Sequence, residues 1–162
     1  MLTQPAAAAV LRIGVGLGSV WRLESAERVD PGRVRTAHFK VNDNNGCPQG
    51  PGTASRVDWY RGGVRVAWKQ YGGSARRLLI DVATTRVGDR SPEGFVVGRS
   101  TLRAVRARLP RAKVLHPRGS LVLGRTLVSV TKVVGYDNWI DFGFWFDARG
   151  RLVALETDRG GC

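Results

Sequence analysis

Along much of the chain apolar side chains recur at every second position, the period of an extended strand with one buried face. The clearest case lies over residues 139–146, where Ile140, Phe142, Phe144 and Phe146 share one face. Asp147-Ala-Arg-Gly150 then supplies hairpin-turn chemistry before a second run over 151–157. A further hairpin is predicted where Val57-Asp-Trp59-Tyr and Val64-Arg-Val66-Ala-Trp68-Lys flank Arg61-Gly62-Gly63. Its second arm places Val64, Val66 and Trp68 on one face, with Arg65 and Lys69 on the other. Other strands are predicted at 11–17, 33–41, 78–85, 113–116, 121–123 and 127–134.

Two segments read as helices instead. One runs from Ser19 to about Val29 and closes at Asp30-Pro31-Gly32. The other runs from Ser100 to Leu109, with Ser100 as N-cap, Pro110 as its stop, and Leu102, Val105 and Leu109 as a narrow apolar stripe. The predicted fold class is therefore α+β, with two short helices packed on antiparallel β-sheet. Gly14-Val-Gly-Leu-Gly18 and Gly94-Phe-Val-Val-Gly98 each precede a helix, strands and a Trp-bearing hairpin. That order suggests two pseudo-repeats, 14–86 and 94–159, within a single domain over 11–162. Residues 1–10 read as a flexible extension or the remnant of a leader.

Gly98-Arg-Ser100-Thr101-Leu-Arg-Ala-Val105-Arg-Ala-Arg-Leu109-Pro110 resembles a motif of the tandem-repeat β-lactamase-inhibitor-protein-like and SmpA-OmlA-like bacterial envelope proteins. The matching positions are Gly98, Ser100 or Thr101, Val105 and Leu109; the usual Met after the Gly and the Gly before the Pro are missing. The resemblance implies a helix on an antiparallel sheet and a binding role, and assigns no residue-level site.

Charge changes the picture of partners, not of fold. The 162 residues carry 26 Lys+Arg against 13 Asp+Glu, a formal net charge of +13, and only Lys40, Lys69, Lys113 and Lys132 are lysines. Such a surface attracts anionic polymers. Arg99, Arg103 and Arg106 follow i, i+4, i+7 and line one flank of the second predicted helix, so they are the anion-binding candidates. Nucleic-acid binding through them would be non-specific, because no RNP-type aromatic pattern or zinc finger accompanies the arginines. A chain of this length buries roughly 70% of its unfolded surface and needs no metal to fold.

Motifs for catalysis are sparse. Gly14-x-Gly16-x-Gly18 lacks the spacing of a dinucleotide loop, since position 19 is Ser. His38 and His116 stand in predicted strands without partners at ligand spacing, and no G-x-S-x-G occurs. Neither a catalytic residue, a metal ligand nor a cofactor is assigned. Asp137, Asp141, Asp147, Glu156 and Asp158 form a pool of carboxylates, with Asp141 expected to pair across its hairpin with Arg151.

No transmembrane segment is expected, because Arg12 interrupts the apolar stretch from Pro5 to Trp21, and no complete signal peptide is present. Ala6 to Ala9 resemble the small-residue end of an export signal. The reading that joins these features is a non-enzymatic, exported bacterial binding protein, extracellular or of the cell envelope, with a protein or an anionic polymer as partner. A cytoplasmic polyanion- or nucleic-acid-binding module and a small hydrolase stay open as alternatives. Export also suits the two widely spaced cysteines. A Cys47–Cys162 disulfide is expected, contributing about 4–5 kcal/mol through loop closure. Alkylation under denaturing, non-reducing conditions should therefore leave both cysteines unlabelled, and labelling of either would exclude the bond.

Overall fold

The structure is a computed structural model that describes residues 8–27, 32–40, 54–70, 77–119, 121–135 and 138–161. Three short strands, β1 (Leu11–Arg12), β2 (Gly16–Leu17) and β3 (Trp21–Arg22), form a small antiparallel sheet. A first meander follows: β4 (Arg33–Lys40), β5 (Ala54–Tyr60), β6 (Val64–Gln70) and β7 (Arg77–Thr84). Then come helix α1 (Leu102–Arg108) and a second meander: β8 (Lys113–Leu115), β9 (Thr126–Gly135), β10 (Asn138–Phe146) and β11 (Leu152–Gly161). The meanders join through their last strands into one eight-stranded sheet of order β4-β5-β6-β7-β11-β10-β9-β8. At the seam Thr84, Ala83, Val82 and Asp81 lie opposite Leu155, Glu156, Thr157 and Asp158.

One face of this sheet is the core. Val66 and Trp68 of β6, Leu79 and Val82 of β7, Leu155 of β11 and Phe142, Phe144 and Phe146 of β10 are buried there. Leu11, Leu17, Trp21, Leu23, Val97 and Val105 cover them from β1–β3, the 85–99 segment and α1. The aromatic faces meet edge-on: Phe144 lies 5.0 Å from Phe142 and 5.6 Å from Phe95 between ring centroids. The expected apolar face of β10 is thus the core face, with Ile140 only half-buried and Leu102 and Leu109 packed at the margin. The buried acids Asp58 and Asp89 are satisfied. Asp58 accepts hydrogen bonds from Arg56 Nε (3.0 Å), Trp68 Nε1 (3.0 Å) and Thr36 Oγ1 (2.7 Å). Asp89 accepts from Thr84 Oγ1 and from the Ala9 N–H, which ties the chain around Ala9 to the body of the fold.

The α+β class with two helices is corrected: the chain is mostly β, with eleven strands in two antiparallel sheets and one short helix among the described residues. The predicted helix from Ser19 to Val29 is the error. Gly16 has φ +122°, and a Cβ there would lie 1.8 Å from the Trp21 carbonyl oxygen, so β2 and β3 close tightly through glycine. Glu24 then takes φ +64°, which no α-helix accommodates. Beyond it, Glu24 N–H donates to Leu79 O, Leu79 N–H to Ser25 O, and Glu27 N–H to Arg77 O, so this segment pairs alongside β7. Trp21 and Leu23 fill the core as alternating positions of extended chain, a period the capping signals had masked.

Smaller differences have the same cause. The strand predicted over 11–17 is broken by a turn into β1 and β2, and the one at 121–123 is a run of turns and bends. At α1 the N-cap is Thr101, whose Oγ1 accepts from the Ala104 N–H, whereas Ser100 Oγ accepts from the Val96 N–H one turn earlier. Replacing Phe144 with Ala is expected to cost about 3–5 kcal/mol in urea denaturation, the range for a fully buried Phe. Val133→Ala, at a position 75% exposed, should stay within about 0.5 kcal/mol of the parent. Comparable losses in both would place the core on the other face.

Candidate functional site

The opposite face of the large sheet is built by the alternate residues of every strand. One row of paired positions crosses all eight strands: Arg35, Trp59, Arg65, Ala83, Glu156, Gly143, Ser129 and Lys113. The adjacent row holds three aspartates side by side, Asp81, Asp158 and Asp141, followed by Thr131. Antiparallel pairing places such residues about 4.5–5.5 Å apart at Cβ, so like charges in a row are destabilising unless something offsets them.

Arg65 supplies much of that offset. Its side chain is 7% exposed, and Nη2 lies 2.7 Å from Asp81 Oδ2 while also pairing with Glu156 Oε1. Nη1 donates to the Leu121 carbonyl at 2.6 Å, which brings the 121–125 segment across this part of the face. Glu156 in turn accepts from Trp145 Nε1 at 2.6 Å. Small neighbours make room for this clamp: Arg65 reaches Glu156 over Ala83, and a Cβ on Gly143 would press within 2.9 Å of Leu127. At the sheet edge the Arg35 guanidinium stacks 4.4 Å from the Trp59 ring centroid. Asp141 accepts from Thr131 Oγ1 and does not pair with Arg151, because its cross-strand neighbour is Asp158.

Titration follows from the crowding. Burial, then the neighbouring Asp141 and Glu156 carboxylates, pushes Asp158 up to about 7, against the smaller pull of the Asp141 N–H and Arg65. Asp81 is likewise raised, by burial first, with Arg65 opposing and Glu156 and Asp158 adding repulsion. At neutral pH Asp158 is therefore close to its point of protonation.

The anion-binding candidates lie elsewhere, on the side covered by α1. Arg99, Arg103 and Arg106 are all exposed. Arg103 and Arg106 line one cavity together with Arg149 of the β10–β11 turn, while Arg99 stands in the preceding turn and does not line it. Arg149 was not legible as a partner, since only the packing of α1 on that turn brings it near. Arg65 and Asp81 were also missed, although an aspartate inside the apolar run Leu78 to Thr84 is a usable signal. Cys47 and Cys162 lie outside the described residues. His38 and His116 are exposed, and among the described residues no group of three His, Cys, Asp or Glu could hold a metal ion.

Against family models, curated proteins and solved structures, the chain matches none. No helix among the described residues is long and apolar enough to cross a membrane. The site must therefore be read from its own chemistry.

That chemistry gives a pH test. Asp158 holds its proton more tightly in the native chain than its ordinary value of 3.8 allows when unfolded. Its contribution is therefore present at low pH and is lost as pH rises towards 7. Between about pH 5 and about pH 8 the parent should lose thermal stability, and Asp158→Asn, which cannot ionise, should lose less. Parallel losses in both proteins would show that Asp158 titrates normally.

Proposed function

We propose that this is a non-enzymatic bacterial binding protein, exported to the envelope or beyond, that holds a protein partner against the carboxylate-bearing face of its eight-stranded sheet. The observation that carries the reading is the charge order across that face. Four carboxylates, Asp81, Asp141, Glu156 and Asp158, crowd its centre around one guanidinium, in a chain of net charge +13. The flanks are basic, with Arg35 at one edge and Lys113 at the other. A partner that offers a lysine or arginine to the aspartate row, with acidic residues around it, complements this pattern. Trp59 and Trp139, both half-buried, supply the aromatic contact area on which such interfaces depend. The ion pairs of Arg65 hold the surface in shape before anything binds, which lowers the ordering cost of association.

Export is supported by the Ala6 to Ala9 run, the two distant cysteines, and the Gly98 to Pro110 resemblance to envelope proteins. A duplicated four-strand unit accounts for a strand order symmetrical about the β7–β11 seam, with β1–β3 occupying in one half the place that α1 has in the other. The test uses the full chain immobilised against extracellular bacterial proteins. A partner retained by the parent and by Arg106→Gln, but lost with the charge reversal Asp141→Arg, supports the reading. Once it is purified, Asp141→Arg should weaken its Kd by about tenfold or more, as expected when one charge pair becomes repulsive. Retention that ignores Asp141 would remove the sheet face from the function.

A further inference from the structure

On the opposite side of the molecule, α1 and the β10–β11 turn border a wide, solvent-open cavity of about 630 Å³. Arg103, Arg106 and Arg149 line it, together with the apolar surfaces of Leu102, Ala107 and Pro110. Arg103 and Arg106 are three residues apart and so project from the same side of the helix. Arg149 is positioned by a turn that has little freedom. The Asp147 carboxylate accepts the backbone N–H groups of Arg149 and Arg151, each at 2.9 Å, and Gly150 N–H donates to Asp147 O at 3.1 Å. The two walls are tied directly, by the Leu102 N–H donating to Gly150 O at 2.8 Å.

What sets these three arginines apart from the other arginines without an acid is that they line one space, with no carboxylate in its wall. Arg33, Arg56, Arg65, Arg77, Arg86 and Arg159 each have a carboxylate oxygen within 4.0 Å. Among the described residues Arg103, Arg106 and Arg149 have none, and Asp147, the acid of the turn, directs its carboxylate to backbone N–H groups. Three like charges around one space repel, and an anion between them relieves the repulsion while accepting paired N–H donors from the guanidinium forks. The volume exceeds what a bare phosphate fills and falls in the range of small-molecule sites, about 300–1,000 Å³.

We propose that this cavity binds a small organic anion, a phosphate or sulfate monoester. Its charged group would lie among Arg103, Arg106 and Arg149, and its apolar body on Leu102, Ala107 and Pro110. The site is separate from the sheet face and stands or falls independently of it.

Phenyl phosphate, phenyl sulfate and inorganic phosphate, titrated calorimetrically into the full chain, test the proposal. One saturable site for an aryl ester is expected, with inorganic phosphate bound about fivefold or more weakly because it leaves the apolar surface uncovered. Arg106→Gln and Arg149→Gln should each weaken the aryl ester about tenfold, the worth of a charge-assisted hydrogen bond. Arg99→Gln and Arg111→Gln, which remove equal charge outside the cavity, should stay within about twofold. Should either cavity variant fail to fold, amide shifts of the parent on titration decide instead, and they should cluster at residues 101–107 and 147–150. Absence of saturable binding, equal losses in the outside variants, inorganic phosphate binding as tightly as the aryl ester, or shifts scattered over the surface would each overturn it. The last pattern, or equal losses, would mean that bulk charge attracts anions with no site at all.

Discussion

The Arg65 guanidinium is the contact on which the sheet face opposite the main core depends. It stands on β6, pairs with Asp81 on β7 and Glu156 on β11, and donates to the Leu121 carbonyl. Those partners belong to both meanders, so one side chain joins the halves where β7 and β11 meet. A guanidinium this deeply buried is costly to desolvate, and its ion pairs with Asp81 and Glu156 offset that cost. Remove the guanidinium, and Asp81, Glu156 and Asp158 become a crowded cluster of carboxylates with no compensating charge between them.

The two faces of the sheet solve different problems. On the core face, phenylalanines, valines and Trp68 exclude water, and the buried acids Asp58 and Asp89 are fully hydrogen-bonded to neighbouring side chains and backbone. On the other face, charge is crowded and Asp158 is held near its titration point, which makes that part of the surface responsive to pH. Helix α1 belongs to the core face through Val105, yet its outer side leaves arginines without acids. The carboxylate cluster and the arginines of the α1 cavity thus lie on opposite sides of a strongly basic chain.

Much of this organisation is readable from local pattern. The period-two runs located β4 to β7 and β9 to β11 to within a few residues, and Phe142, Phe144 and Phe146 lie on the buried face their alternation requires. The stripe of α1 and the Asp147–Gly150 turn were equally visible, because caps, stops and tight turns are chemistry between residues close in the chain. Where local signals conflicted with packing, packing prevailed. Residues 19–29 carry the punctuation of a helix, but Gly16 closing against Trp21 and the pairing of residues 24–27 along β7 make the described part, up to residue 27, short extended pieces joined by turns.

Neither candidate site was legible as an arrangement. That Asp81 stands beside Asp158 follows from the register of β7 on β11, strands about seventy residues apart in the chain, and no local pattern sets that register. Arg149 joins Arg103 and Arg106 for the same reason, through the docking of a helix on a distant turn. The sequence by itself determined which residues alternate, which are charged and where the chain turns, because those are properties of neighbours. Only the tertiary structure decided which charges meet, because that depends on which strands pair and in what register.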